Sequence, residues 1–326
     1  TANAGLIELR REISKYMADR FFVEYDPYKE ILITVGASEA IDLAIRAIVD
    51  PGDEVIVVEP TFVSYAPIVS LTGGVPVSVG TSKKDEFKLT AEQLERAITP
   101  KTKVLMFCFP NNPTGAYMTK EELEEIAKIV EKHDLLVISD EIYAELSYEA
   151  EHYCFSRLPG MFDRTIVING FSKAFAMTGW RLGFACGPND IIAAMLKIHQ
   201  YTMMCASTLA QYAAIEALRN GIDDMKRMVQ SYRQRRNFIV KSFAEIGLDC
   251  HTPGGAFYAF PSIESTGMTS EQFAEKLLLE ERVAVVPGNV FGEGGEGHIR
   301  CSYATSMDNL EEAVRRMARF LEKYAK

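Results

Sequence analysis

The 326-residue chain lacks the patterns that mark several large classes of protein. Its six cysteines show no C-x-x-C spacing, and several of them lie in apolar runs, so we expect a reduced, cytoplasmic setting. Its five histidines have no ligand spacing and no companion cluster of cysteines or carboxylates, so we expect no metal site. No apolar run approaches transmembrane length, and no repeat or low-complexity tract is visible.

Positive charge is also scarce, with 35 Lys and Arg against 45 Asp and Glu and a formal net charge of -10. This balance argues against nucleic acid or an anionic membrane as a partner. The chain begins at Thr1 rather than at a methionine, so we expect a fragment or the ordered part of a longer protein. This start is compatible with a targeting peptide ahead of Thr1.

The spacing of apolar residues predicts two domains. Apolar runs alternate with helical patterns as far as about Arg219, which predicts a large α/β domain with a mostly parallel sheet over residues 1–219. A long charged helix from Gly221 to Ala244, with Arg233, Arg235 and Arg236 on a solvated side, leads into a smaller α+β domain, so the second domain spans residues 220–326. Within it we expect strands at 257–260, 283–286 and 298–303 and helices at 270–280 and from 307 onward.

One glycine-rich segment of the predicted second domain matches a nucleotide-binding motif but lacks the surroundings that the motif requires. Residues 292–297 fit G-x-G-x-x-G, the fingerprint of dinucleotide-binding folds. A strand rather than a helix follows, however, and Glu293 and Glu296 would repel a pyrophosphate. We interpret this segment as a solvated loop.

The most informative residue is Lys173, which follows a short buried strand and a turn over residues 165–172. An ammonium group placed among apolar and small residues must either pair with a carboxylate or lose its proton. An unprotonated lysine is the nucleophile of Schiff-base chemistry. The alternative is a surface lysine in a loop.

Three other sites favour a Schiff-base lysine over a surface lysine at this position, since each follows an apolar run that suits a buried strand. Asp140 ends the run from Asp134, and a carboxylate at the carboxyl end of such a strand lies where open α/β sheets bind ligands. Asn111 and Asn112 follow the run 104–109 and can aim amide donors into the same crevice. Residues 36–38 open a helical pattern, and exposed N–H groups at a helix N-terminus bind phosphate.

A single ligand needs all four features. It has an aldehyde for the lysine, a ring nitrogen that pairs with a carboxylate, a phenolic oxygen that accepts from Asn and Tyr donors, and a phosphate group. That ligand is pyridoxal 5′-phosphate, so we expect this cofactor.

At these residues the chain resembles the class I/II aminotransferases, which have the fold type I of pyridoxal-phosphate enzymes. The resemblance covers the whole chain, because five motifs occur in the order that the family has. They are Val35-Gly36-Ala37-Ser38, Asn111-Asn112-Pro113-Thr114-Gly115, Ser139-Asp140-Glu141-Ile142-Tyr143, the segment from Ser172 to Gly183, and Ile299-Arg300-Cys301-Ser302-Tyr303-Ala304.

The resemblance implies roles for the residues around the cofactor ring. Lys173 would hold the cofactor as a Schiff base and later carry a proton, and Asp140 would keep the pyridine nitrogen protonated. Tyr143 and Asn112 would donate to the phenolic oxygen, and Phe62 would stack on the ring. Phe62 as an ordinary core residue and Tyr143 as an anchor at a helix start are the alternatives.

Other residues would hold the charged ends of the ligands. The Ala37 N–H, Ser38 and Arg181 would bind the phosphate group, and the planar fork of Arg181 suits it. Arg300, together with Asn112, would bind the α-carboxylate of the substrate. A surface ion pair is the alternative for Arg181.

The chain also departs from the family. Many relatives carry a hydroxyl residue three positions before the lysine, where this chain has Gly170, so Ser172 is the remaining hydroxyl candidate for the phosphate. The family's N-terminal arm, with a tyrosine that reaches the partner subunit's cofactor, would precede Gly5.

We therefore expect an aminotransferase that works by a ping-pong cycle between an L-amino acid and a 2-oxo acid, with glutamate and 2-oxoglutarate as one pair. Resemblance to the aspartate, aromatic and N-acetyl-diaminopimelate subgroups suggests the other partner. A C–S β-lyase is the alternative, and an effector-binding domain of a regulator is a remote one. A homodimer with shared active sites is implied by the family, and the stretch from Tyr201 to Thr208 resembles the segment that crosses to the neighbour.

Overall fold

The structure, a computed structural model, describes residues 2–324. Its main sheet has seven strands, which are β1 (Ile31–Thr34), β2 (Glu54–Glu59), β3 (Val75–Gly80), β4 (Thr102–Cys108), β5 (Leu136–Asp140), β6 (Thr165–Gly170) and β7 (Gly183–Cys186). They lie in the order β1-β7-β6-β5-β4-β2-β3. Five of them, from β3 across to β6, are parallel neighbours, β1 runs in the same direction, and β7 is antiparallel to both β1 and β6.

The apolar runs form the central strands because both faces of the sheet are covered. Every residue of β1, β6 and β7 is buried, and so are most residues of β4 and β5. Strands that are buried on both faces have continuous apolar sequences rather than alternating ones. This confirms the predicted strands within one or two residues at each end.

Eleven α-helices surround the two sheets within the described residues. The N-termini of α4, α5 and α10 carry capping boxes; at α5, for example, Thr119 accepts from the Glu122 N–H while the Glu122 carboxylate accepts from the Thr119 N–H. The helices are α1 (Ile7–Phe21), α2 (Ala37–Ile48), α3 (Tyr65–Leu71), α4 (Ala91–Ala97), α5 (Lys120–Lys132), α6 (Phe171–Ala174), α7 (Asn189–Thr202), α8 (Thr208–Asn220), α9 (Ile222–Glu245), α10 (Ser270–Glu281) and α11 (Met307–Tyr324).

The C-terminal part builds a separate small sheet in the order β8-β10-β9, from the antiparallel strands β8 (Tyr258–Ala259), β9 (Val286–Pro287) and β10 (Ile299–Ser302). This sheet has its own apolar core, which includes Ile239 and Phe243 of α9, Phe273 of α10 and Phe320 of α11. The predicted strand at 283–286 is wrong in extent, because only Val286 of that run pairs with β10. The domain boundary at 219/220 stays a prediction.

The long helix α9 matches the predicted span, but one of its arginines is not on a solvated side. Arg236 is only 3 % exposed. Its guanidinium donates to the carbonyl of Pro253 at 2.8 Å and to Glu149 at 2.5 Å, and it lies over the ring of Tyr148. Arg236 therefore ties α9 to the loop before β8, because a buried guanidinium requires such partners.

The topology brings distant segments of the chain to one edge of the main sheet. The carboxyl ends of β1, β2, β4, β5 and β6 meet at this edge, and the antiparallel strand β7 begins there. Asp140 ends β5, Arg181 lies just before β7, and the segments that follow the other strands within two residues are 36–38, 60–62, 109–112 and 171–173. Open α/β sheets bind ligands at this edge.

Candidate active site

A cavity of about 280 Å³ opens at this edge of the sheet. All ten site residues that the sequence predicts line it. They are Ala37, Ser38, Phe62, Asn112, Asp140, Tyr143, Ser172, Lys173, Arg181 and Arg300. Asn111 does not line the cavity; instead its amide donates to the carbonyls of Pro60 and Cys108, and its side-chain oxygen accepts from Thr114, so it braces the turn.

Lys173 lies on the single helical turn α6 that follows β6, and its side chain points into the cavity. The Nζ atom lies 5.7 Å from the ring centre of Tyr143 and 5.4 Å from that of Phe257. Burial lowers the pKa of Lys173, and the positive charges of Arg300 and Arg181 lower it further, while Asp140 opposes them. The neutral amine is therefore more accessible here than at a surface lysine.

Asp140 is 4 % exposed and receives two hydrogen bonds. The Tyr65 hydroxyl donates to Oδ2 at 2.5 Å, and the Ile142 N–H donates to Oδ1 at 3.1 Å. Burial raises the pKa of Asp140 to about 6, although both hydrogen bonds favour the ionised form. This carboxylate would gain from a cationic partner in the cavity.

Two tyrosines, Tyr143 and Tyr258, also line the cavity. The hydroxyls of Tyr143 and Tyr258 lie 3.0 Å apart, and burial raises the pKa of both phenols. They are therefore neutral at physiological pH and can donate hydrogen bonds to an oxygen in the cavity.

Arg300 reaches the same cavity from β10 of the small sheet. Its Nη1 donates to the side-chain oxygen of Asn112 at 2.8 Å, and the guanidinium lies over the rings of Tyr258 and Phe291, 4.6 and 4.8 Å from their centres. These contacts fix the plane of the guanidinium, and a fixed planar fork suits a carboxylate.

The N-terminus of α2 forms another wall with Arg181. No side chain caps this helix start among the described residues, and Gly36 has φ +80°. A Cβ at Gly36 would lie 2.7 Å from Nη2 of Arg181, so the glycine allows the guanidinium to approach the helix start. Free N–H groups and a guanidinium together make a site for a phosphate group.

The structure gives a reason for Gly170, the position where the family resemblance leads us to expect a hydroxyl residue. A Cβ at Gly170 would lie 2.9 Å from the Cα of Gly183 and 3.0 Å from the carbonyl oxygen of Leu182. Strands β6 and β7 therefore approach too closely here for a side chain. The Ser172 carbonyl accepts from the Thr178 hydroxyl at 2.9 Å, and both residues line the cavity.

Phe62 is partly exposed at the cavity rather than enclosed in the core. Its ring meets the ring of Tyr65 edge to face, with centres 5.7 Å apart. Tyr143 is not a helix-start anchor, because no helix begins near it.

Sequence reasoning missed Tyr65, Cys108, Thr178 and Tyr258, which also line the cavity. A signal exists for Tyr65, because it lies three residues after Phe62 at the start of α3, on the same turn. Tyr258 gives no such signal, since only the pairing of β8 with β10 brings it beside Arg300.

A carboxylate, an amine of lowered pKa, hydroxyl and amide donors, and a helix start with an arginine thus share one cavity. This donor set fits the ring nitrogen, aldehyde, phenolic oxygen and phosphate of pyridoxal phosphate. The fold and the site together define a pyridoxal-phosphate protein of fold type I.

Comparison with known proteins agrees with this class. The family "Aminotransferase class I and II" matches residues 1–317. The chain is 61 % identical over 323 residues to the putative aminotransferase YugH of Bacillus subtilis, covering 99 % of this chain and 84 % of that protein. It is 46 % identical to an aspartate aminotransferase of Pyrococcus abyssi, covering 98 % of this chain and 83 % of that protein. A solved aromatic aminotransferase of Pyrococcus horikoshii superposes with a TM-score of 0.97 at 48 % identity, covering 99 % and 87 % of the two chains.

The chain belongs to the class I and II aminotransferases. Members of this family use pyridoxal phosphate to move amino groups between amino acids and 2-oxo acids. The predicted fold, cofactor and enzyme class are confirmed, and the comparisons favour amino-group transfer over the β-lyase alternative. Within residues 2–324, no helix is long and apolar enough to cross a membrane.

Proposed function

We propose that this chain transfers an amino group between an L-amino acid and a 2-oxo acid, with glutamate and 2-oxoglutarate as one pair and Lys173 as the catalytic residue. An aspartate-type, aromatic or N-acetyl-diaminopimelate-type amino acid is the proposed partner, on the basis of the names of the relatives. The observation that carries the proposal is that Lys173, Asp140, Arg181 and Arg300 line a single cavity.

Bound pyridoxal phosphate supplies an electrophilic carbon and a ring that accepts electrons. Asp140 would then hold a proton on the pyridine nitrogen, and the burial of its carboxylate, which raises its pKa, favours this role because a cation there would stabilise the ionised form. Tyr143 and Asn112 would donate to the phenolic oxygen. Lys173 would hold the cofactor through its aldehyde, and its amine would carry the α-proton of the substrate.

Arg181 and Arg300 would each bind a different anionic group of the ligands. Arg181, with Ala37, Ser38 and Ser172, would bind the phosphate, because it lies at the start of α2. Arg300 would bind the α-carboxylate of the substrate beside Asn112, since it is already held there. Phe62 would stack on the ring.

Replacement of Lys173 tests the proposal. We expect Lys173→Ala to lose more than roughly a thousandfold of kcat/KM, because a covalent catalyst is removed. After incubation with pyridoxal phosphate and reduction with borohydride, mass spectrometry should find the pyridoxyl group on Lys173 of the wild type and none on the variant. The surface variant Lys128→Ala is the matched control, since Lys128 is 66 % exposed in its side chain. Labelling of another lysine, with activity kept in Lys173→Ala, would refute the assignment.

The substrate is tested with a panel of amino donors and 2-oxoglutarate. A transaminase releases glutamate only when the acceptor is present. Release of pyruvate from a cysteine conjugate without any acceptor would instead support the β-lyase alternative.

We also infer a homodimer. A run of exposed apolar side chains lies where α7 ends and α8 begins, namely Tyr201, Met203, Met204, Leu209 and Tyr212. A monomer rarely exposes such a patch, and a second copy of the chain would cover it. Light scattering should give the mass of two chains, and Met204→Glu should shift the mass toward that of one. A wild-type mass of one chain would contradict the inference.

The cytoplasmic setting stays a prediction, supported by six unpaired cysteines.

A further inference from the structure

A second ionisable pair lies directly behind the Asp140 carboxylate, outside the cavity. The Glu141 carboxylate is buried, and His152 Nε2 lies 2.9 Å from its Oε2 atom. The side chains are 1 % and 6 % exposed, respectively. The other oxygen of Glu141 accepts from the Ser139 hydroxyl at 2.9 Å and from the Phe155 N–H at 3.0 Å.

The two neighbouring carboxylates face opposite layers of the molecule. Consecutive side chains at the end of an extended strand point to opposite sides. Asp140 therefore meets Tyr65 in the cavity, whereas Glu141 meets the segment 152–155 on the far side. The Glu141 N–H donates to the Ile168 carbonyl at 2.8 Å, so β6 fixes the backbone between the two carboxylates.

The negative charge of Glu141 helps to raise the pKa values of the ionisable groups around it. Burial is the main reason for the raised pKa of Asp140, and the negative charge of Glu141 adds to it. Burial also raises the pKa values of Tyr25, Cys154 and Cys186, again with a contribution from Glu141, so these groups stay neutral. Burial would raise the pKa of Glu141 itself, but His152, through its charge and hydrogen bond, and the hydrogen bonds from the Phe155 N–H and the Cys154 side chain together hold the pKa low.

His152 lines a surface cavity of about 270 Å³, which gives the pair a route to solvent. Phe21 packs edge-on against its ring, with centres 5.9 Å apart. The charged groups around this cavity are Arg20, Glu145, Glu149 and Glu151, and Arg20 forms an ion pair with Glu145 at 2.7 Å.

We propose that Glu141 and His152 act as a charge-balanced positioning pair, in which the Glu141 carboxylate holds the carboxyl end of β5 and the proton that the two side chains share across 2.9 Å cancels its charge behind Asp140. The proposal rests on the proposed function, since it assumes that Asp140 meets the pyridine nitrogen of the cofactor. The two residues act through Asp140 and touch neither cofactor nor substrate.

Charge balance predicts opposite effects for the two partners. Glu141→Gln removes a negative charge near Asp140, so a cation on the bound cofactor is stabilised less and loses its proton at lower pH. His152→Gln leaves the Glu141 charge uncompensated, because Ser139 and Phe155 still donate to it, so the same proton is lost at higher pH. If the pair only held the fold together, the two substitutions would have no reason to move the pH of proton loss in opposite directions.

The test is a pH titration of the visible absorbance of the protein loaded with pyridoxal phosphate. We expect the midpoint to fall by at least about 0.3 pH units in Glu141→Gln and to rise by a similar amount in His152→Gln, which is roughly a twofold change in each equilibrium. In the double variant the midpoint should return toward that of the wild type, because the net charge is again balanced. His133→Gln is the matched control, since His133 lies 3.0 Å from Glu95 in a surface pair.

Shifts of equal sign in the two single variants, or midpoints no farther from the wild type than that of His133→Gln, would overturn the pair's role. If His152→Gln does not fold, Glu141→Gln and the double variant decide the matter, since the proposal requires their midpoints to differ. Absence of the visible band in the wild type would overturn the proposed function itself, whereas a normal band with unmoved midpoints would overturn only the pair.

Discussion

The hydroxyl group of Tyr65 donates a hydrogen bond of 2.5 Å to Oδ2 of Asp140, and both residues are buried. With the Ile142 N–H on the other oxygen, this bond fixes the plane of the carboxylate. It also opposes burial, which raises the pKa of Asp140 to about 6. Tyr65 is therefore a positioning residue for the carboxylate at the centre of the site.

We expect Tyr65→Phe to lower kcat/KM about tenfold, on the order of 1.5 kcal/mol for a lost hydrogen bond to a charged group. The pKa of Asp140 should rise further, because the ionised form loses a donor. In a plot of kcat/KM against pH, the acid limb should therefore move to higher pH.

Tyr25→Phe is the matched control for this prediction. Tyr25 is equally buried, and its hydroxyl lies 2.7 Å from that of Ser156, in another part of the core. An acid limb that stays in place in Tyr65→Phe, or moves as far in Tyr25→Phe, would refute the role of Tyr65.

Much of the site could be predicted from the sequence because its residues follow buried strands directly. The apolar runs at 104–109 and 134–140 and the run that begins at Thr165 predict strands, and parallel strands have their carboxyl ends at one edge of a sheet. Lys173, Asp140 and Asn112 lie within a few residues of those ends, so topology alone brings them together.

The rest depends on contacts between segments that sequence patterns do not relate. Tyr258 and Arg300 reach the cavity only because the small sheet packs at its mouth. Arg236 has the sequence surroundings of a surface residue, yet the loop at Pro253 buries it. Periodicity predicts which face of a helix is apolar, but it does not predict which loop will cover a charge.

Gly170 yields a prediction about the phosphate site. Gly170→Ser would supply the hydroxyl that the family resemblance leads us to expect, but its Cβ would lie 2.9 Å from the Gly183 Cα. We expect a loss of about 1–3 kcal/mol in the free energy of unfolding, as for other overpacked sites, and no gain in affinity for pyridoxal phosphate. Urea unfolding and a titration with the cofactor measure the two quantities.

Gly80→Ser is the control, because no atom lies within 4 Å of a Cβ at Gly80 and its φ is unrestrictive. If Gly170→Ser bound the cofactor more tightly at unchanged stability, β6 and β7 would have room for the side chain after all.

Replacement of Asp140 should separate binding from catalysis. Asp140→Asn keeps Lys173 and Arg181, so we expect pyridoxal phosphate to bind still. Turnover should fall at least about a hundredfold, because an amide cannot stabilise a protonated pyridine nitrogen. The exchange of the substrate α-proton for deuterium, followed by NMR, measures this loss directly. An exchange rate equal to that of the wild type would refute the role of Asp140.

The same substitution should stabilise the cofactor-free protein. The folded-state pKa of Asp140, about 6, lies above the value of 3.8 that an aspartate has in an unfolded chain. The unfolded chain loses this proton first, so stability falls as pH rises from about 4 to about 6, and the full cost, roughly 3 kcal/mol, is present at pH 8. Asparagine has no such cost and can still accept from Tyr65. Urea unfolding of the cofactor-free proteins should show Asp140→Asn as the more stable at pH 8, with an advantage that shrinks by pH 5. The variant Asp223→Asn, at an exposed position, is the control and should show no comparable trend. If the stability advantage of Asp140→Asn over the wild type grew as pH fell, the ionised Asp140 carboxylate would not be destabilising.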